Sequence, residues 1–331
     1  MLGQFSFKNY KSYKNEVMLD LYAENISEHK ESLIIDKVDN EKFLPVIALY
    51  GPNGGGKSTV LDALQYLPSA ILSKVLTTNA INDEIDITNN KIIPQLFDLR
   101  GKQHKFDNKS KNSPCEFSIL FRIDENEFRY QLSVLNNTIT EENLYMHNLN
   151  DDDWDIIFER NTDDYYLGNI VQDINIGKIK DTMPMLAAIS IGFDIPVIDS
   201  IISWFLNINV LNYNNPRTDL RVLIPKDNKE RQLVFKLLQN MDINIKDIRL
   251  EKDIDGNITQ IYTQRHTLDG KIIEIPLQEE SSGTRKLLGL LPKLIDSLQS
   301  GGVVIADELD SAANWHIGTL AYWHIIDLIY Y

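Results

Sequence analysis

Phe43-Leu-Pro-Val-Ile-Ala-Leu-Tyr50, followed by Gly51-Pro-Asn-Gly-Gly-Gly56-Lys57-Ser58-Thr59, is the stretch on which the fold turns. A near-continuous apolar run, apolar on both faces, suits a central strand buried in an α/β sheet. After Gly56 the period changes. Val60, Leu61, Leu64 and Leu67 recur at three- and four-residue steps, the spacing of a helix, and Pro68 is expected to end it. The residues between fit G-x-x-x-x-G-K-[ST], so strand, glycine loop and helix stand in register. Gly51, Gly54, Gly55 and Gly56 let backbone N–H groups turn toward a phosphate with no Cβ in the way. Asn53 and Thr59 complete the loop and the first turn, and the helix start adds its positive dipole end. Lys57 is placed to reach the β- and γ-phosphates of ATP, and the Ser58 hydroxyl to ligate Mg²⁺.

Two later segments suit the same chemistry. Gly302-Val-Val-Ile-Ala306 is a second apolar strand pattern that ends in Asp307-Glu308. Asp307 would hold Mg²⁺ through water, and Glu308 would polarise the attacking water. Glu280-Ser281-Ser282-Gly283-Thr284-Arg285-Lys286 stands before an expected helix over Leu287–Leu298. Serines and a glycine at a helix start make an anion-binding terminus, and equally an ordinary N-cap.

The 331 residues suit one large domain, or one domain with a substantial insertion. A hydrophobic fraction of 43% can bury a real core. Cys115 alone can form neither an intramolecular disulfide nor a cysteine-rich metal site, which points to a reducing compartment. No run approaches the ~20 apolar residues of a membrane span, and the opening MLGQFSFKNYKSYKNE lacks a signal-peptide core. The expectation is a cytoplasmic protein with no membrane partner. The net charge of −15 argues against a chain that blankets DNA, while leaving room for a local basic patch. Much of the acidic excess lies in Glu141, Glu142, Asp151–Asp153, Asp155, Glu159, Asp163 and Asp164, with only Arg160 against it. Such a run reads as a solvated loop or as a docking surface for a basic partner.

Elsewhere, Phe5, Phe7 and Tyr10, and then Val17–Leu21, give short strand patterns. Phe117–Ile123 and Phe128–Val134 alternate around Asp124-Glu125-Asn126 as a hairpin, with a further turn at Asn136-Asn137. Helical spacing returns at 183–188, 198–205 and 227–241. Residues 246–277 read as strands around Asp255-Gly256 and Asp269-Gly270 turns. No sustained heptads occur.

GPNGGGKST, SSGTRK and VVIADELD together resemble ABC-type ATPases of the SMC/RecF/OLD-like group, and FSFKNYKSYKNEVMLDL resembles that group's first strands. More narrowly, the chain resembles AAA family ATPases of bacterial abortive-infection and phage-defence operons. That likeness runs through PCEFSILFRIDENEFRYQLSV, TEENLY, ISWF and MDINIKDIRLEKD, and covers roughly residues 1–310. It implies an α/β P-loop fold of ABC type, a mixed sheet with flanking helices and an α/β insertion between two lobes. The expected division is an N-terminal lobe over 1–140, a mainly helical insertion over 141–245 and a C-terminal lobe over 246–331.

The resemblance also implies a head-to-tail homodimer or higher oligomer around ATP and Mg²⁺. Ser281, Ser282 and Gly283 of one copy would meet the nucleotide held by Gly51–Thr59 of the other. Glu308 and Lys57 would be catalytic. Ser58 and Asp307 would hold the metal, with Gln95 a further candidate, and Asp310–Asn314 would cross the interface. Lys8, Asn9 and Lys11 lie where the family contacts nucleotide, and also suit a plain surface strand.

Three departures stand out. Lys57 and Ser281 are separated by 223 residues; Ala313-Asn314-Trp315-His316 replaces the usual Leu-His-Pro; and 23 residues follow Glu308, so the C-terminal lobe is expected to be incomplete, without a switch histidine. The aromatic tail from Trp315 to Tyr331 would pack on the core or favour association. The implied activity is ATP hydrolysis, driving a nucleotide-dependent switch in an anti-phage system and controlling a separate effector protein. A DNA repair ATPase of RecF/SMC type and a non-hydrolysing nucleotide module remain alternatives, and DNA as a partner is not supported by the charge. No nuclease pattern is present.

Overall fold

The computed structural model describes residues 1–25, 30–81, 99–100, 102–212, 228–256, 258–267 and 269–307. The chain divides between Leu206 and Asn207 into two compact units.

The first unit contains β1 (Leu2–Lys8), β2 (Val17–Asp20), β3 (Ile34–Ile35), β4 (Lys42–Phe43), α1 (Lys57–Ile81), α2 (Asn108–Lys111), β5 (Cys115–Ile123), β6 (Asn126–Leu135), β7 (Thr138–Asn148), β8 (Trp154–Asn161), β9 (Tyr165–Leu167), α3 (Met185–Gly192) and α4 (Pro196–Leu206). Seven of its strands form one antiparallel sheet in the order β2-β1-β5-β6-β7-β8-β9, and β3 pairs with β4 alone. The expected hairpin is present, with Ile123 opposite Asn126. The next turn is Asn136-Asn137, with φ of 49° and 67°. Two successive left-handed residues make a type I′ turn, whose twist matches the strands it joins.

Alternation decides which face of the sheet is covered. Phe5, Phe7, Phe117, Ile119, Phe121, Phe128, Tyr130 and Leu132 are buried; Tyr66 of α1 stacks on Phe117, Phe205 of α4 meets Phe121, and α1 packs in turn on α3 and α4. Trp204 stacks on Phe121 at a centroid distance of 4.0 Å.

Three expectations need correction. Leu44–Tyr50 is not a buried strand: Val46, Ile47 and Tyr50 are 45%, 36% and 82% exposed. The start of that run is diverted, because Leu44 N–H donates to Leu21 O at 2.7 Å and Phe43 bridges Tyr22. Pro45 then removes the next donor. Pro68 does not end α1, which continues to Ile81. A proline inside a helix costs ~3 kcal/mol, and burying one leucine or isoleucine returns ~1.5–3 kcal/mol. Leu67, Ile71 and Val75 outweigh it.

Finally, residue 140 lies inside β7, and β8 and β9 fall in the span read as mainly helical. Glu142 and Arg160 belong by sequence to that acidic surface run, yet they are 0% and 7% exposed. Glu142 accepts the Met185 and Leu186 amides at 2.6 and 3.0 Å and the Tyr130 hydroxyl at 3.0 Å. It thus caps the start of α3 from a strand, and Arg160 donates to Met183 O and Lys180 O beside it. Asp151–Asp153, Asp163 and Asp164 are exposed.

The second unit contains β10 (Ile208–Asn212), α5 (Asn228–Asn240), β11 (Asp247–Lys252), β12 (Ile258–His266), β13 (Ile272–Pro276), α6 (Ser282–Ser300) and β14 (Val303–Asp307). β11, β12 and β13 form an antiparallel sheet whose turns place Gly256 and Gly270 at φ 85° and 80°. Val234, Leu237 and Leu238 of α5 and Leu288, Leu291 and Ile295 of α6 make one core with Ile248 and Ile261. β10 and β14 pair in parallel, with Asn212 opposite Asp307. Parallel and antiparallel pairing thus both occur, in separate sheets. The tail from Glu308, including Asp310–Asn314, lies outside the described residues.

Candidate nucleotide site

The glycine loop runs from Gly51 to α1 on the first unit. Gly54 and Gly56 have φ of 80° and 88°, a region closed to most side chains. A Cβ on Gly56 would also lie 2.8 Å from the Tyr13 hydroxyl. The turn is closed by Gly55 N–H donating to Pro52 O at 3.0 Å, while Gly51–Gly55 and Ser58 are exposed. The helical ladder begins when Thr59 and Val60 donate to Gly56 O at 2.9 and 3.3 Å. The Lys57 and Ser58 amides precede it and have no intrahelical acceptor, as at any helix start. Lys57 Nζ donates to the carbonyls of Gly51 and Pro52 at 2.6 and 3.0 Å, so its ammonium lies across the loop. Asn53 sits in the exposed turn.

An exposed glycine turn, helix-start amides without intrahelical acceptors and an ammonium on one loop fit a phosphate group. When bound, ATP would supply the phosphates, held by the Gly54, Gly56, Lys57 and Ser58 amides and by the Lys57 ammonium. For Mg²⁺, the exposed Ser58 hydroxyl is one fitting donor.

A second layer holds this loop, and sequence reasoning missed it. The residues after β1 turn back beneath it. Ser12 Oγ donates to Thr59 Oγ1 at 3.3 Å, and Tyr13 Oη to Gly55 O at 3.5 Å. Tyr10 Oη donates to Asp62 of α1 at 2.5 Å, and Lys11 and Lys102 pair with the same carboxylate. Burial pushes the Asp62 carboxyl up, but Lys11, Tyr10 and Lys102 together hold it below its ordinary value. Burial, then Asp62, pushes the Tyr10 hydroxyl well up. The only sequence signal was the density of Lys and Tyr in KNYKSYK.

Of the three residues assigned to nucleotide by resemblance, Lys8 pairs with Glu116 at 3.0 Å and Lys11 with Asp62. Asn9 is buried, and its Nδ2 donates to the carbonyls of Ser110, Ser113 and Pro114. Asn9 is a structural hub.

On the second unit, Ser281 is the N-cap of α6. Its Oγ accepts Thr284 N–H at 3.1 Å. Ser281 and Ser282 are exposed and Gly283 half-buried. Glu280 just before them is buried: it accepts the Thr263 hydroxyl at 2.5 Å and Arg265 Nη2 at 2.7 Å. The sequence motif gives Glu280 no role of its own. The pairing of a motif residue with β12 leaves no local trace.

α6 ends at Gly301, φ 71°, whose amide donates to Ser297 O. Gly302 then turns the chain directly into β14, where Asp307 is the last strand residue. Gln95 and Glu308, and the side chain of Asp307, lie outside the described residues.

Among the described residues, no single helix is long and apolar enough to cross a membrane. No curated protein matches the chain. The family described as "AAA domain, putative AbiEii toxin, Type IV TA system" matches residues 46–312, which span the glycine loop, the Ser281 cap and β14. An AAA domain is a P-loop nucleotide-binding fold, and the chain belongs to this family of AAA-type ATPases of abortive-infection and toxin–antitoxin type.

Proposed function

We propose that the protein binds and hydrolyses ATP with Mg²⁺, and that nucleotide switches it between assembly states in a bacterial anti-phage system whose effector is a separate protein. The observation that carries this is the exposed Gly51–Ser58 loop, with its left-handed glycines and Lys57 bonded across it to Gly51 and Pro52. Lys57 would neutralise the β- and γ-phosphates, and Ser58 and Asp307 would hold the metal. Glu308 would polarise the attacking water. The exposed Ser281-Ser282-Gly283 cap favours an ABC-type arrangement, in which this cap on one copy meets nucleotide on a second. The helix start offers N–H groups and a dipole to an anion.

The test is molar mass in solution with and without Mg²⁺-ATP, with phosphate release read from the same samples. Lys57→Ala is expected to abolish ATP binding. Glu308→Gln is expected to keep binding, slow turnover and trap the larger species. Micromolar binding retained by Lys57→Ala would sink the loop assignment. Normal turnover by Glu308→Gln would remove Glu308 from its role. A mass indifferent to ATP in every variant would remove the switch.

A further inference from the structure

Residues 8–14 and 100–111 hold eight of the chain's 33 lysines and arginines against one aspartate, Asp107. The rest of this acidic chain is correspondingly richer in carboxylates, so the concentration is local. The fold joins the two stretches into one ledge on the first unit. Lys11 N–H donates to Lys102 O at 2.6 Å, and His104 Nδ1 lies 3.1 Å from Lys11 O. Asn9 ties both sides together: its Oδ1 accepts His104 N–H, and its Nδ2 reaches the carbonyls at the end of α2. Cys115 Sγ donates to Asn9 O at 3.0 Å beneath them. The ledge is therefore built on a buried framework rather than strung along a loose loop.

Its outer surface has two features. Lys105 and Lys109 are exposed and make no ion pair among the described residues, and Lys111 reaches only the neutral Asn108 side chain. Lys8 and Lys14 form exposed pairs with Glu116 and Asp107. Such pairs are weak and leave an ammonium available to a stronger anion. Between Lys105 and Lys109 stands Phe106, 88% exposed, with the His104 ring its one ring neighbour among the described residues. An isolated ring held in water among lysines gains nothing for the core. A row of cations beside an exposed aromatic face is what a chain of phosphates and bases requires. At physiological ionic strength charges are screened beyond about 8 Å, so the ledge acts locally despite the net charge of −15.

We infer that the ledge formed by residues 8–14 and 102–111 binds single-stranded nucleic acid, the lysines taking backbone phosphates and the Phe106 ring taking a base. The reading does not rest on turnover at Lys57. The test is fluorescence anisotropy on the full chain with labelled 20-nucleotide dT and rU oligomers across a salt series. Three or four phosphate contacts predict a slope of log affinity against log salt of about −2 to −3. The triple variant Lys105→Glu, Lys109→Glu, Lys111→Glu is expected to lose binding. Phe106→Ala is expected to weaken it about tenfold at an unchanged salt slope, with Phe106→Trp restoring it. All four residues are exposed, so the fold should not report the change. A difference between the dT and rU arms would identify DNA or RNA as the natural strand, and either supports the inference. Four outcomes would overturn it: no binding at low salt; binding unaffected by the triple variant; equal binding of polyglutamate or duplex without a Phe106 effect; or binding lost in Lys57→Ala, which would place the oligomer on the glycine loop.

Discussion

Replacing Glu280 tests how the Ser281 cap is held in place. The carboxylate is 9% exposed and lies one residue before the cap, with Thr263 and Arg265 of β12 as its partners. Removing one member of a fully buried pair costs ~3–5 kcal/mol, and breaking an exposed pair ~0–1 kcal/mol. This pair lies between those limits. Arg265 is 26% exposed in its side chain and can turn to water. Thr263 keeps Ile275 O as an acceptor at 3.3 Å. Neither partner is left stranded, so Glu280→Ala should cost about 2 kcal/mol, the worth of a charge-assisted bond or two. Glu280→Gln keeps the Thr263 bond and should cost about half as much.

The assay is amide exchange over peptides spanning Leu277–Leu291, because local opening is what the latch suppresses. At 1.4 kcal/mol per factor of ten, 2 kcal/mol predicts exchange about 30-fold faster in the alanine variant. Nucleotide binding at the Gly51–Ser58 loop should survive, while the ATP-driven rise in mass should weaken. Exchange that rises less than about threefold would refute the latch. A lost rise in mass at unchanged exchange would show Glu280 acting on the partner copy directly.

The other predictions concern the first unit. Gly56→Ala forces an alanine into φ 88° and against Tyr13, so it should cost at least ~1–2 kcal/mol and weaken ATP binding in calorimetry; wild-type affinity would show that the loop relaxes freely. Asp62 has a folded pKa below its ordinary value despite burial, held there by Lys11, Tyr10 and Lys102. Its contribution is therefore present above the usual carboxylate range and is lost as pH falls through the depressed value. Asp62→Asn should flatten the acid limb of a thermal-melting pH series and leave the neutral-pH limb unchanged in shape. Glu142→Ala leaves the buried Arg160 charge without its carboxylate and two α3 amides without their acceptor, so urea denaturation should show a loss of ~3–5 kcal/mol, and a loss under 1 kcal/mol would mean that water replaces the carboxylate.

Much of this was legible locally. Alternation and turn residues placed β5, β6 and the β12–β13 turn, because strand pairing across two residues is written within a dozen positions. The glycine loop was legible because its φ angles are demanded residue by residue. What was not legible depends on distant partners. The apolar run Phe43–Tyr50 has the composition of a buried strand, but its first residues are taken by Leu21, whose carbonyl accepts the Leu44 N–H, and by the Tyr22 bridge to Phe43. Pro68 looked like a stop until the burial of Leu67 and Ile71 outweighed it. Glu142 read as one more surface acid, and only the arrival of α3 makes it a cap.

The same division explains where control of the site resides. The residues that would touch nucleotide, Gly51–Ser58 and Ser281–Gly283, are set by short-range rules and could fold nearly the same way in many contexts. The residues that hold them are set by long-range ones. Asp62 fixes α1 to the turn after β1 across some fifty residues, and Glu280 fixes the α6 cap to β12 across seventeen. A substitution in the first group removes chemistry and leaves the unit standing. A substitution in the second leaves every motif residue in place while loosening the geometry that makes it useful. Loss of function with all motifs intact is therefore expected to map to Tyr10, Asp62, Thr263, Arg265 and Glu280. Suppressors of such losses should fall on the partner strand or helix rather than in the motifs, because the coupling lies in those pairs.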